Sequence, residues 1–386
     1  MSTITQKVQM RVFMQIYSPL RGFIVPKIRP ISVYKRNSST SSTAKIIFSA
    51  IQPTGIPHLG NFLGAMMNWV KLQKEEESNA QLIFSVADLH ALTTSQKPEV
   101  LKENRMQTLA SMMAVGLDDE RCTIFMQSEF GVVTELMWIL SCTASMGYLS
   151  RMTQWKSKSG SKLSTPESTI SSTKTKLGLF SYPVLQAADI LIHKATHVPV
   201  GADQAQHLEF ARECVTNFNS TYSPILTPND SLFNSNTAKF LSLAKTTRIR
   251  SLANPDVKMS KSSGPRNSRI LITDTKEEIR NKICSAVTDS KNSISWDPET
   301  RPGVSNLLSI LSAFDVSGRT PEELARDLDG MSLGEFKNLL SENVEEKLCP
   351  IRERYNELIA NKEYLAKLAA RGLEKVYSTG QHNIRQ

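Results

Sequence analysis

The stretch Lys45-Ile-Ile-Phe-Ser-Ala-Ile-Gln-Pro-Thr-Gly-Ile-Pro-His-Leu-Gly-Asn61 decides the fold, because a strand, a turn and a helix start follow one another in it. The apolar run over residues 45–50 predicts a short buried strand, and Gln52-Pro-Thr-Gly55 predicts a turn. A helical pattern follows, with one apolar side formed by Phe62, Leu63, Met66, Met67 and Val70. The stretch therefore reads as the opening of a β-α-β unit.

Two further strands are predicted downstream, over Gln81–Val86 and Cys122–Met126. The helix between them has Pro98 near its first turn and Gly116 past its end, as helices prefer. Strands that alternate with helices of this length indicate parallel pairing, so the expected fold class is α/β with a doubly wound parallel sheet. Residues 157–176 are rich in Ser, Thr and Lys and predict a mobile loop.

The pattern becomes purely helical after about Asp274. Pro350 is predicted to open the final helix, which would carry Tyr355, Leu358, Leu365 and Leu368. We therefore expect an α/β domain over residues 44–274 and an α-helical domain over residues 275–386.

The first 43 residues differ in composition from the rest. They hold seven basic residues and no acidic one, and they end in the hydroxyl-rich tract 37–43. This composition predicts an organelle targeting presequence, with a basic RNA-binding tail as the alternative. The formal net charge is +9, so the residues after these seven cations carry only about +2. Nucleic-acid binding would therefore need a local basic patch.

The remaining composition argues against membrane and metal classes. No apolar run reaches the ~18 residues that a membrane-spanning helix needs. The five cysteines are dispersed, which favours reduced thiols in a reducing compartment. His193 and His197 stand four residues apart without a third ligand nearby, so we predict no metal site in the protein itself.

Pro57-His58-Leu59-Gly60-Asn61 lies where the first strand meets the first helix. Backbone N–H groups and the helix dipole make such a position favourable for phosphate oxygens. His58 and Asn61 can add side-chain donors, and Gly60 allows close approach. The motif alone is weak, because a capping histidine beside a packing glycine gives the same letters.

Lys258-Met-Ser-Lys-Ser262 forms a second motif on a loop between Pro255 and Gly264-Pro265. Lys258 and Lys261 could clamp one polyphosphate, whereas the alternative is a solvated basic loop. The two motifs together, in this order, are the pattern of class I aminoacyl-tRNA synthetases. The middle of the chain resembles the tryptophan-specific family of that class, on Ser181–Ile190, Val198–His207, Phe48–Pro53, Asp88–His90, Arg151–Gln154 and Pro302–Asn306.

The resemblance, which covers about residues 45–375, implies a Rossmann-like catalytic domain and a set of ATP-binding residues. His58, Asn61, Lys258 and Lys261 would be the catalytic ones. The implied ATP contacts are Gln52, Pro53, Thr54, Gly60, Asn61, Gly201, Ala202, Asp203, Ile249, Lys258, Met259, Ser260, Lys261 and Ser262. The family commonly has Glu at the position of Ala202, which leaves the role of that side chain in doubt.

The resemblance also implies a tryptophan pocket. Indole offers one N–H donor and no acceptor, so a carboxylate in an apolar setting is the matching group. Asp189 stands at the implied position, and its alternative is an exposed helical aspartate. The other implied pocket residues are Tyr182, Gln204, Phe48, His90 and Gln186; for His90 the alternative is a core histidine bonded to backbone.

The implied reaction has two steps. The tryptophan carboxylate attacks the α-phosphorus of ATP in line, with Mg²⁺ on the phosphates, and releases pyrophosphate. A ribose hydroxyl at the 3′ end of tRNA(Trp) then displaces AMP. The implied partners are that tRNA, read through its anticodon by the helical domain, and a second copy in a homodimer, with no membrane. The expected location is the mitochondrial matrix, with the plastid left open. A tyrosyl-tRNA synthetase and a catalytically silent RNA-binding paralogue remain as alternatives.

Overall fold

The computed structural model describes residues 45–76, 79–152, 176–199, 204–222, 249–261 and 264–385, with side chains up to residue 380. The leader, the predicted loop up to residue 175, Gly201, Ala202, Asp203 and Ser262 lie outside these ranges. Predictions that fall on those residues stay predictions.

The described strands form a parallel sheet. They are β1 (Ile46–Ile51), β2 (Gln81–Val86) and β3 (Cys122–Met126), in the spatial order β1-β2-β3. Phe48 lies opposite Ile83, and Phe84 lies opposite Ile124. A parallel bridge joins Ile47 to His197 on the other side of β1. The three strand predictions and the parallel α/β fold class are confirmed.

Helices connect these strands. After β1 come α1 (Leu59–Asn61), a π-helical turn (Phe62–Met66) and α2 (Met67–Glu75). After β2 come α3 (Asp88–Ala91) and α4 (Pro98–Ala114). Pro98 opens α4 as predicted, and Gly116 beyond its end has φ of 106°. The helical pattern omitted Trp69, which is 1% exposed and stacks on Phe84 with ring centroids 5.0 Å apart.

Side chains alternate between two cores along the strands. Ile47, Leu82 and Phe84 belong to one hydrophobic cluster, whereas Phe48 and Ile83 belong to the other. The second cluster is covered by α5 (Val132–Ser141), α6 (Met146–Arg151), α7 (Leu177–Ile192) and α8 (Ala205–Tyr222). Burial on both faces explains why the strands read as nearly continuous apolar runs.

The residues after 274 are helical, as predicted. They form α9 (Lys276–Cys284), α10 (Pro302–Phe314), α11 (Pro321–Asp327), α12 (Leu333–Ala360) and α13 (Lys362–Arg385). The prediction that Pro350 opens the final helix was wrong, because Pro350 lies inside α12. Proline removes one backbone donor from a helix, and α12 tolerates this loss because Phe336, Leu340, Leu348 and Tyr355 bury apolar surface on both sides of it.

Helix α13 lies against β3. A Cβ atom at Gly372 would overlap the backbone carbonyl of Ile124, so glycine permits the close approach. Lys375 Nζ donates to Asp119 O at 2.9 Å, and the ring of Tyr377 meets Phe130 edge-on at 5.0 Å. The helical residues and the sheet therefore belong to one compact unit, Ala44–Gln386, and the domain boundary at residue 274 stays a prediction. None of the described helices is long and apolar enough to cross a bilayer.

Candidate active site

The first part of the site is the start of α1, directly after β1. His58 is the N-cap residue, and its Nδ1 accepts from the backbone N–H of Asn61 at 3.2 Å. The Asn61 Oδ1 accepts in return from the backbone N–H of His58 at 3.3 Å. Because Nδ1 is an acceptor, the neutral ring carries its proton on Nε2. His58 therefore combines both readings of the motif, as a helix cap and as a potential donor at a helix N-terminus.

The second motif lies beside the first. Lys261 Nζ donates to the carbonyl oxygen of Gly55 at 2.6 Å. The Cβ of Met259 lies 3.7 Å from the point where a Cβ on Gly60 would sit, so the two motifs meet at that glycine. Lys258 is exposed, and Ser260 is partly buried. The structure thus brings His58, Gly60 and Lys261 together across about 200 residues of sequence.

Backbone pairing holds this loop in place. Met259 N–H donates to Ile249 O at 3.1 Å, and the side chains of both residues are 2% exposed, so both lie in the core. Asn306 on α10 accepts from Arg250 N–H at 2.8 Å and donates to Arg250 O at 3.0 Å. The sequence comparison included Asn306 without giving it a role; its role here is to clamp the start of the loop.

The loop returns to the first helix after Lys261. Leu59 N–H donates to Ile270 O at 2.8 Å, and Ile272 N–H donates to Pro57 O at 3.1 Å. This short pairing places Arg269 next to the start of α1. No sequence motif pointed to Arg269, because its position depends on pairing between distant segments.

The electrostatic environment at the start of α1 is strongly positive. Burial, with the charges of Lys261, Lys258 and Arg269, lowers the pKa of His58 to about 4. Burial and the Arg269 charge lower the pKa of Lys261 to about 7. At neutral pH His58 is therefore a neutral donor, and Lys261 lies close to its titration midpoint.

The turn after β1 contains the other predicted ATP contacts. Gln52 and Thr54 are exposed, Pro53 is buried, and Thr54 N–H donates to Gln52 O at 2.9 Å. These residues line the same strand-to-helix junction as His58. The roles assigned to them stay predictions.

The predicted amino-acid pocket centres on Asp189, which is 3% exposed on the apolar helix α7. The alternative that Asp189 is an exposed helical aspartate is wrong, because α7 packs into the second hydrophobic cluster. His90 Nε2 lies 2.8 Å from Asp189 Oδ2. Gln127 Nε2 donates to both carboxylate oxygens, at 2.7 and 2.8 Å. A carboxylate has about four acceptor positions, so these contacts leave room for one more donor.

Three other predicted pocket residues make contacts with one another or with His90 and His207. The Tyr182 ring meets the His90 ring edge-on at 6.3 Å, and Tyr182 Oη lies 2.9 Å from His207 Nε2. Gln186 Nε2 donates to Gln204 Oε1 at 3.3 Å. The Nε2 atom of His90 contacts a carboxylate and not a backbone group. This contact supports the prediction that His90 belongs to the pocket over the alternative of a core histidine bonded to backbone.

Phe48, another predicted pocket residue, lies in an aromatic cluster with an unexpected histidine. The His193 ring stacks on Phe48 at 5.2 Å and on Phe130 at 5.7 Å, and it meets Phe125 edge-on at 5.7 Å. Both ring nitrogens of His193 are buried without a partner among the described residues. Burial lowers the pKa of His193 to about 3.

The sequence reasoning missed Gln127, although a usable signal existed. Gln127 follows β3 directly, as His90 follows β2 and His58 follows β1 by a few residues. Ligands of open parallel sheets bind outside the carboxyl ends of the strands. Polar residues at all three strand ends were therefore candidates.

The arrangement suits a substrate with two different ends. One end offers cationic and N–H donors for an oligophosphate, and the other offers a buried acceptor among aromatic side chains. Within the described ranges no three His, Cys, Asp or Glu residues could hold a metal ion together.

Comparisons with known proteins find a matching family model and similar proteins. Residues 40–348 match the family model for class I tRNA synthetases (W and Y). The chain is 43% identical over 337 residues to the mitochondrial tryptophan–tRNA ligase of Schizosaccharomyces pombe, covering 85% of this chain and 90% of that protein. It is 40% identical over 358 residues to the mitochondrial tryptophan–tRNA ligase of Saccharomyces cerevisiae, covering 91% and 92%. A tryptophanyl-tRNA synthetase structure from Campylobacter jejuni, complexed with ADP and tryptophan, is similar with a TM-score of 0.70 and 31% identity, covering 88% of this chain and 97% of that one.

Proposed function

The chain belongs to the class I tRNA synthetases of the tryptophan and tyrosine group, and from this membership we propose how its residues perform the work of a tryptophan–tRNA ligase. It activates L-tryptophan with ATP to tryptophanyl-adenylate and pyrophosphate, and it then loads tryptophan onto tRNA. One observation carries the residue assignment. The start of α1 follows β1, and the buried carboxylate of Asp189 contacts residues that follow β2 and β3, so both lie at the carboxyl edge of one parallel sheet.

At the phosphate end, His58, Lys258 and Lys261 stabilise the charge that builds on the departing pyrophosphate. The neutral His58 donates through Nε2, and Lys261 leaves Gly55 O for a phosphate oxygen. The start of α1 adds backbone N–H groups, Asn61 fixes the ring of His58, and Mg²⁺ enters as part of the ATP complex. No protein nucleophile is needed, because the enzyme works by positioning and by electrostatic stabilisation.

At the amino-acid end, Asp189 accepts the indole N–H. His90 and Gln127 hold its carboxylate in place, so the acceptor is fixed before the substrate enters. Tyr182, Gln186 and Gln204 are the proposed contacts of the ammonium side, and Phe48 forms the apolar wall.

The partners are tRNA(Trp) and a second copy of the chain. Residues 275–386 would form the domain that contacts the anticodon. Three exposed apolar side chains support a homodimer, namely Trp138 on α5, Met146 on α6 and Leu177 at the start of α7. Both α5 and α6 pack against α7. Large exposed apolar groups gathered on neighbouring helices favour an interface.

The test of the activity is ATP–pyrophosphate exchange with the purified chain. We expect exchange that depends on tryptophan and not on tyrosine. Exchange with tyrosine would select the tyrosyl alternative, and no exchange with either would select the silent paralogue.

We further propose that residues 1–43 direct the protein to the mitochondrial matrix. Their composition and the mitochondrial relatives support this assignment. A fluorescent reporter fused behind residues 1–43 should enter mitochondria and resist external protease. A reporter that stays in the cytosol would refute the presequence.

A further inference from the structure

Arg269 is fixed beside the start of α1 by its neighbours in sequence. The following residue, Ile270, accepts the backbone N–H of Leu59 at 2.8 Å, and Leu271 forms an antiparallel bridge with His58. The backbone of Arg269 is therefore one residue away from a segment paired directly with the proposed phosphate site.

The charge of Arg269 acts on two groups of that site, because it lowers the pKa of both His58 and Lys261. These two residues belong to different segments, and the backbone pairing beside His58 is the geometric counterpart of this influence. Every charged side chain found to shift either pKa is a cation, namely Lys258, Lys261 or Arg269.

The hydrogen bonding of Arg269 is incomplete. Its Nη1 is buried and has no hydrogen-bond partner in the described part of the chain. Arg269 as a whole is partly buried, but a buried N–H of a charged group without a partner is costly. Arg301 differs from Arg269: it is 4% exposed and pairs with both oxygens of Asp289, at 2.8 and 2.9 Å.

We propose that Arg269 is a further phosphate-binding residue, which donates to the β- and γ-phosphate oxygens of ATP and to the pyrophosphate that leaves. Its planar fork suits two phosphate oxygens at once, whereas Lys261 supplies a point charge. The inference rests on the proposed function for the reaction that it serves. The binding of inorganic pyrophosphate is nevertheless independent of which amino acid is activated.

The test compares Arg269→Gln with Arg266→Gln in the full chain. Arg266 lies three residues earlier on the same segment and is exposed, and its charge acts on Glu278. Both variants lose one positive charge. Titration calorimetry with inorganic pyrophosphate, and the KM for pyrophosphate in exchange, should show a loss of about 10- to 100-fold for Arg269→Gln, since a hydrogen bond to a charged group contributes on this scale. Arg266→Gln should match the wild type within about twofold.

A second measurement separates binding from a structural role. Transfer of tryptophan from isolated enzyme-bound adenylate to tRNA takes place after pyrophosphate has left. Arg269→Gln should therefore keep the wild-type transfer rate and the wild-type KM for tryptophan. Arg269→Lys, which keeps the charge but not the fork, should lose less pyrophosphate affinity than Arg269→Gln.

Two outcomes would overturn the proposal. One is wild-type pyrophosphate affinity in Arg269→Gln, and the other is a parallel loss of tryptophan affinity and transfer rate in Arg269→Gln and Arg269→Lys, which would indicate a structural arginine. Failure of the proposed function looks different, because the wild type would then show no tryptophan-dependent exchange while calorimetry still reports on the anion site.

Discussion

The two ends of the site differ in how far the protein satisfies its own polar groups. At the amino-acid end, Asp189 is held by His90 and Gln127 through three contacts of 2.7 to 2.8 Å. At the phosphate end, Lys261 donates to a backbone carbonyl, and Arg269 keeps a buried N–H without a partner among the described residues. We call the first end complete, because the protein itself fixes the carboxylate and leaves one acceptor position for a substrate donor, and the second end incomplete, because a buried donor there has no partner among the described residues. Selectivity should therefore depend on the first end and rate on the second.

The largest expected effect comes from removing the cation at the incomplete end. Lys261→Ala should slow adenylate formation by about 100-fold or more, because a donor to developing charge contributes a few kcal/mol to the transition state. Tryptophan affinity should stay nearly unchanged, since Lys261 lies at the phosphate end. Pre-steady-state quench-flow measures the rate, and equilibrium titration measures the affinity. A wild-type rate in this variant would remove the distinction between the two ends.

The next effect tests the complete end through one atom. Asp189→Ala should lower kcat/KM for tryptophan at least ~10-fold, because a hydrogen bond to a charged acceptor contributes about 1.5–3 kcal/mol. An analogue with carbon or sulfur in place of the indole nitrogen has nothing to donate. The wild type should discriminate against it, and the variant should discriminate far less.

These four combinations form a double-mutant cycle that isolates the contact from general damage. If the losses from enzyme and substrate simply add, Asp189 does not touch the indole nitrogen. Asp189→Asn serves as the matched control, because it keeps the size of the side chain and one oxygen acceptor.

His193 tests whether water is excluded from the aromatic cluster that it forms with Phe48, Phe125 and Phe130. Its pKa of about 3 lies below the ordinary value of 6.5, so the unfolded chain binds a proton in this range and the folded chain does not. The wild type should therefore lose stability as pH falls from about 6.5 towards 3. At pH 5 the loss from this residue is about 2 kcal/mol.

His193→Leu should remove this pH-dependent loss of stability. The difference in the free energy of unfolding between variant and wild type, measured by urea unfolding, should therefore be larger at pH 5 than at pH 7. The same pH dependence in both proteins would mean that His193 meets water. Urea midpoints and slopes together give the free energy of unfolding for this comparison.

The smallest expected effect is the uptake of one proton by Lys261 when ATP binds. Lys261 has a pKa of about 7 in the free protein, and neighbouring phosphates should raise it. Below pH 7 Lys261 is charged before and after binding, whereas above pH 7 it gains a proton on binding. ATP affinity should then fall by up to about tenfold per pH unit above 7.

Calorimetry in buffers of different ionisation enthalpy measures this uptake directly. We expect close to one proton per ATP at pH 8 for the wild type and close to none for Lys261→Met. Equal uptake by both proteins would place the titrating group elsewhere.

The comparison also shows which parts of the site were predictable. β2 and β3 were predicted to the residue, because strands buried on both faces read as apolar runs with clear ends. The meeting of His58 with Lys261 followed from two motifs that occur together in this order. Gln127 could have been found from its position directly after β3, and Asn306 lay in a family-like stretch without an assigned role. Arg269 carries no motif, since its role depends on contacts with segments far away in sequence.

Local rules failed where tertiary packing prevailed. Pro350 disfavours a continuing helix, yet α12 continues because both of its halves bury apolar side chains. The π-helical turn over Phe62–Met66 likewise has no sequence signal that periodicity alone could detect. Propensity is a weak prior when burial opposes it.

The packing of α13 on β3 has a consequence for the order of synthesis. In the described part of the chain no strand lies beyond β3, and α13 covers that side with Gly372 against Ile124. The ribosome makes β3 roughly 240 residues before α13 begins, which at about 5–20 residues per second is on the order of tens of seconds. A sheet that forms during this interval has an uncovered edge, which other nascent chains can pair with. The rate of translation between Met126 and Lys362 therefore sets the shortest time for which this edge stays without α13.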